Sequence, residues 1–262
     1  MKKNFVLKIA VTIAYFAMII VNYLANALPI GGVTTGQASD NFANLFTPAG
    51  ITFSIWGLIY LLLLGYTIYQ FNWKKNKNQD KLFKKINKLF LLTSLANMAW
   101  IFAWHYGIIW LSLLIMIALL TLLIKIADIV NHKKQDAVNT IFVRLPFSIY
   151  FGWITIATIA NVTVFLQSIN WNGFGISDQT WMIVVLFVGA AIGIIRMFKD
   201  KNIYYGLVLV WAYFGIWIKH TSLDGFNSTY PNIINVVVFC IALFIINIGY
   251  LGYKKLSYNQ GQ

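Results

Sequence analysis

The chain has 262 residues, of which 60% are hydrophobic and 10% charged, against about 25% charged in soluble domains. A net charge of +13, with 20 basic residues and seven acids that are all aspartate, raises nucleic acid as a partner. The basic residues, however, sit in short clusters between long apolar runs and read as membrane-flanking anchors, which argues against nucleic acid. The single cysteine, Cys240, excludes an intramolecular disulfide and a cysteine-cluster metal site.

A membrane-spanning helix needs about 20 mostly apolar residues, and eight runs qualify. The first covers 5–28 and puts Asn22 and Asn26 on one face. Lys2, Lys3 and the Ala25-Asn26-Ala27 triplet resemble a cleavable leader. The apolar run is long for one, and its removal would leave seven spans, so it is expected to stay. Pro29 to Pro48 follows as a connection of about 20 residues, rich in turn formers and then apolar at Phe42, Leu45 and Phe46. Most connections are far shorter, which suggests a lid over a cavity, with a solvated connector as the alternative.

The second run, 49–71, aligns Phe53, Trp56 and Tyr60. The third, 86–105, aligns Asn97, Trp100 and Trp104 and meets the fourth, 107–130, in a tight turn at His105-Tyr106-Gly107. Lys125 and Asp128 share a face near the end of the fourth and read as a local ion pair. The fifth, 142–167, is kinked or started by Pro146 and aligns Trp153, Ala157 and Asn161. A polar stretch, Ser168 to Gln179, precedes three more uniformly apolar runs at 180–198, 202–219 and 232–253. This predicts an all-α integral membrane protein with a five-helix core, 1–167, and a three-helix extension, 168–262.

With the N-terminus taken as cytoplasmic, all basic residues except Lys219 fall on the inner side. Cytoplasmic loops collect lysine and arginine, so both termini are expected inside, and the composition loosely fits a bacterial plasma membrane. His105 and His220 lie at the outer boundary without a ligand-spaced partner and read as interfacial residues rather than metal or haem ligands. His132 reads as solvated in a basic inner loop. No serine/histidine/aspartate set or paired intramembrane carboxylate suggests catalysis.

An amide in hydrocarbon needs a partner, because an unsatisfied polar group there costs several kcal/mol. Stripes of asparagine or aromatic residues on four helices therefore mark either interhelix packing or a shared aromatic cavity, of the kind that binds apolar ligands with a few placed polar groups.

Three of these segments carry a resemblance. The run Thr47-Pro48-Ala49-Gly50-Ile51-Thr52-Phe53-Ser54-Ile55-Trp56-Gly57-Leu58-Ile59-Tyr60 resembles the proline-rich start of the second helix in the TspO/MBR tryptophan-rich sensory proteins, relatives of the mitochondrial translocator protein (peripheral benzodiazepine receptor). Leu95-Ala96-Asn97-Met98-Ala99-Trp100 is similar to that family's third-helix Leu-Asn-x-x-Trp motif. The run from Trp153 through Ala157 and Thr158 to Asn161 is similar to its fifth-helix motif. The likeness covers about residues 5–167. Gly50 stands where the family carries a second tryptophan, Ser54 replaces a proline, and Pro146 is three residues further from Trp153 than the family's fifth-helix proline.

The resemblance implies a five-helix cavity for porphyrins, haem-like tetrapyrroles or other flat apolar ligands, closed by the loop between the first two helices. Phe46, Trp56, Tyr60, Asn97, Trp100, Trp153, Ala157 and Asn161 would line or support it. No cofactor is required beyond a porphyrin or haem ligand, and the partners are that ligand, the bilayer and, as an open expectation, a second copy. A sensor or receptor is the leading reading. A transporter lined by Asn22, Asn26, Asn97 and Asn161 and a light- and oxygen-dependent porphyrin oxidase are the alternatives. The glycine at position 50 weakens the last.

Overall fold

The computed structural model describes residues 2–28, 30–40, 42, 44–71, 77–131 and 136–260. Eight long helices dominate: α1 Lys2–Ala27, α2 Ile55–Tyr69, α3 Lys77–His105, α4 Ile109–Asn131, α5 Leu145–Ser168, α6 Asp178–Asp200, α7 Ile203–Thr221 and α8 Pro231–Gln260. No strand occurs among the described residues. Seven of the eight are long and apolar enough to cross a bilayer, α2 when taken together with the 3-10 turn Gly50–Ser54 that leads into it. The exception, α7, is 19 residues long and ends in Lys219, His220 and Thr221. It lies between neighbours, with Tyr205, Leu209, Ala212, Tyr213 and Ile216 all buried. Helix α3 starts nine residues before its apolar run, because a helix propagates through the lysines of its first turns without needing lipid.

Large apolar side chains such as Ile13, Leu61, Ile195 and Ile246 stand exposed around the outside. A bilayer tolerates that surface, whereas backbone polar groups must be satisfied within each helix. The protein is a multi-pass membrane protein.

Helix α5 is the axis. Fourteen of its 24 residues are buried, and α2, α4 and α7 all pack on it. Helix α1 packs on α3, α3 on α4, and α8 on both α6 and α7. Pro146 sits in the first turn of α5, directly after a π-helical turn at Thr140–Arg144. The wider turn there accommodates the missing proline donor. Helix α7 meets α5 closely at Gly152, where a Cβ would fall 2.8 Å from Val208 Cβ. Small residues at such crossings let backbones approach, which is how membrane helices gain packing.

The two ends of the bundle are stitched differently. At the end that starts α1, Gln70 is fully buried and donates to Thr12 Oγ1 while accepting from Asn87 Nδ2 at 2.8 Å. At the same end, Arg196 on α6 reaches Asp128 on α4 at 2.6 Å and Asp200 at 2.8 Å. Asp128 is thus bridged by Arg196 and, at 3.9 Å, by Lys199, a correction to the pairing with Lys125, which is exposed. Arg144 donates to the carbonyls of Asp200 and Lys201, both at 2.8 Å. These contacts tie the first five helices to the last three. His132, Lys74, Lys75, Lys133 and Lys134 lie outside the described residues.

Candidate ligand-binding site

At the opposite end, the first-to-second-helix connection folds over the bundle. A 3-10 turn at Ile30–Gly32 and a short helix, Thr35–Asp40, lead to the buried Phe46, Thr47 and Pro48. Gly31 has φ +67, and a Cβ there would come within 2.7 Å of the His105 carbonyl oxygen, so glycine is needed on both counts. Pro29, Asn41 and Ala43 lie outside the described residues.

Two histidines hold this loop. His105, at the end of α3, donates from Nδ1 to the Ile30 carbonyl and meets Thr35 Oγ1 at Nε2, both at 3.0 Å. His220, at the end of α7, donates from Nε2 to the Leu45 carbonyl at 2.9 Å. Both are buried, so reading them as plain interfacial residues misses their role as tethers. Asn44 does the same locally: its amide oxygen accepts from the backbone N–H of Phe46 and Thr47, and Thr163 on α5 donates to it.

Beneath the loop, Trp56, Trp100, Trp153, Ala157 and Asn161 converge on one cavity. Thr35, Thr47 and Pro48 from the loop roof it, and Phe53, Trp104, Ile156, Ala160 and Val164 complete the wall. The rings are mutually oriented: Trp100 stacks on Trp104 at 5.5 Å, while Trp56 and Phe53 both point edge-on at Trp153, at 6.3 and 5.7 Å. Such offset and T-shaped pairs favour a fixed arrangement. Trp104 also donates to the Thr35 carbonyl at 3.3 Å, fastening the roof to α3.

The other three predicted residues lie elsewhere. Tyr60 stacks under Trp56 at 5.6 Å, one layer below the wall. Asn97 is fully buried, accepts from Asn22 Nδ2 at 2.7 Å and donates to the Tyr150 hydroxyl at 3.4 Å. It joins three helices rather than facing the cavity. Phe46 is buried on the far side of the loop, in a different cleft. Gly50, the position of the missing family tryptophan, is exposed with open space where a Cβ would stand.

Two features decide what the cavity can do. Its volume is about 40 Å³, room for about three or four waters at about 10–15 Å³ each and far below the 300–1,000 Å³ typical of small-molecule sites. The aromatic site is assembled but closed. Second, the indole Nε1 atoms of Trp100 and Trp153 are buried and find no hydrogen-bond partner among the described residues. Buried polar groups are normally paired, so two unused donors sit in the residues lining an otherwise apolar cavity. Asn161, by contrast, accepts from Ser112 at 3.0 Å. Groups of three or more histidine, cysteine, aspartate or glutamate residues able to hold a metal do not occur among the described residues.

No curated protein and no solved structure matches the chain. The family model described as TSPO-like protein matches residues 8–250, which takes in α6, α7 and most of α8 as well as the five helices that carry the motifs. With nearly its whole length matched, the chain belongs to the TSPO-like protein family.

Proposed function

We propose that this protein is a membrane receptor or sensor that takes a flat apolar molecule, of the porphyrin or haem class, between Trp56, Trp100 and Trp153. The observation that carries this reading is the pair of unbonded indole donors on two of the tryptophans that wall the cavity. Such a site favours a ligand whose π-face stacks on indole and whose edge carries a hydrogen-bond acceptor, as the carboxylates of a porphyrin do. Because the empty cavity is small, the ligand enters by displacing the loop, and the hydrogen bonds donated by His105 and Trp104, with the one from Thr163 to Asn44, set the cost of that opening. Transport gains no support from the asparagines. Asn22, Asn26 and Asn97 are engaged with one another, with backbone or with Tyr150, and Asn161 alone of the four lines the cavity.

The test is a titration of protein in nanodiscs with protoporphyrin IX, read by tryptophan fluorescence. Saturable quenching is expected, and Trp153→Phe, which keeps a ring and deletes the donor, should weaken it by about three- to tenfold, the worth of one hydrogen bond. Absence of saturation, or an unchanged affinity in Trp153→Phe together with Trp100→Phe, overturns the assignment.

A further inference from the structure

A second cavity lies where the last three helices meet the first five, on the other side of the loop. It measures about 660 Å³, within the range of ordinary ligand sites without any movement. Three stretches of sequence build it: the loop at Asn44–Phe46, the run from the last turns of α5 through Trp171 and Gly173 into the first half of α6, and the α7–α8 connection at Phe226 and Tyr230.

Its aromatic wall is preorganised. Trp181 donates from Nε1 to the Gly173 carbonyl at 2.7 Å, and Trp171 packs against it with ring centroids 5.0 Å apart. Gly173 has φ +62, and a Cβ there would lie 2.9 Å from that indole nitrogen, so the backbone is shaped around the ring. Opposite, Phe226 and Tyr230 meet edge to face at 5.6 Å, and both contact the His220 ring. Phe46 is buried among the lining residues.

The charge of the cleft is the reverse of the protein's. The chain carries 20 basic residues against seven acids, yet among the described residues lining the cleft the one charged side chain is Asp178, an exposed carboxylate at the start of α6. Gln167, Gln179 and Asn44 supply neutral polar groups, and Val162, Val184 and Val188, all exposed, open the cleft toward the apolar outer surface of the bundle. Indole, phenol and phenyl faces attract cations, and a carboxylate at an apolar mouth does the same. Among the described residues that line the cleft, an anion or a phospholipid phosphate finds no basic side chain.

We propose that this cleft binds a bulky amphiphilic cation, an apolar body bearing one positive charge that rests by Asp178 and the aromatic rings. The site is separate from the tryptophan cavity and does not depend on it.

Tetraphenylphosphonium and tetraphenylborate have the same shape and opposite charge, so they separate charge recognition from simple partitioning. Binding of labelled tetraphenylphosphonium to the full chain in nanodiscs is expected to be saturable and not displaced by tetraphenylborate. Asp178→Asn should weaken it about tenfold, and Val162→Trp, which fills the cleft from its lipid-facing side, should abolish it. Protoporphyrin quenching should survive both variants, which distinguishes failure here from failure of the tryptophan site and shows that the variants are folded. Equal binding of the two ions, an unchanged affinity in Asp178→Asn, or a phospholipid retained by the wild type and lost in Val162→Trp without any phosphonium binding overturns the proposal.

Discussion

The two cavities of this bundle differ in almost every respect. The tryptophan cavity is about 40 Å³, is built from α2, α3, α5 and the loop above them, and is walled by rings that already touch. The cleft at the junction with the last three helices is about 660 Å³, is open, and carries a single acid. The first is a set of side chains that must part to receive anything. The second is a space that packing between two helix groups leaves over. A cavity's residues and its volume are thus independent facts: convergence of the right side chains does not make room.

The comparison can be broken most forcefully through Arg196. Its side chain is 12% exposed and bridges Asp128 and Asp200, the latter 4% exposed. Arg196→Gln removes the main partner of the buried Asp200 carboxylate, a change that costs about 3 kcal/mol. Thermal denaturation in a fixed detergent should show a large fall in melting temperature. The phosphonium site, which depends on the two helix groups staying together, should lose affinity before the tryptophan site does.

Gly215 offers the next largest effect. A Cβ there would overlap the side chain of Thr52, in the turn leading into α2, while Ala49 donates to the Gly215 carbonyl at 3.0 Å and Trp211 to that of Thr52 at 2.9 Å. Gly215→Val should destabilise by about 2 kcal/mol through overpacking, read in the same melting assay. An unchanged melting point would mean the seam is looser than these contacts imply.

Smaller still is the loop tether. His220→Phe removes the donor to Leu45 and should cost about 1 kcal/mol. Limited proteolysis of the loop should become faster, and tetraphenylphosphonium affinity should fall several-fold because Leu45 and Phe46 form one wall of the cleft. The mildest change is Trp104→Phe, which deletes one hydrogen bond to the roof and keeps the ring. It should raise the association rate of protoporphyrin a few-fold in stopped-flow quenching, with little loss of stability.

Much of this architecture is legible in the sequence, for a physical reason. Apolar runs long enough for a bilayer admit little but helix, and residues three or four apart must share a face. That groups Trp153 with Ala157 and Asn161 on one face; joining them with Trp56 and Trp100 from other helices in a common cavity is what the family resemblance implies. What stays hidden depends on contacts between distant segments. Asp128 has Lys125 one turn away in sequence, yet Arg196 holds it from another helix. His105 and His220 carry no local signal that they face a loop, and their carbonyl partners are 75 and 175 residues away. Asn97 announces a buried polar group correctly, but nothing local tells whether its partner is a ligand or Asn22. Phe46 is apolar enough to be buried, and which side of the loop it takes is fixed by Asn44 and His220.

The most direct test sets the two sites against each other with one ligand. Protoporphyrin IX affinity should be measured by tryptophan quenching in Ala157→Leu, which fills the small cavity, and in Val162→Trp, which fills the cleft. A loss of at least about tenfold, or 1.4 kcal/mol, is expected in the first, with wild-type affinity in the second. Retained affinity in Ala157→Leu with loss in Val162→Trp would contradict the account and move the porphyrin site to the cleft.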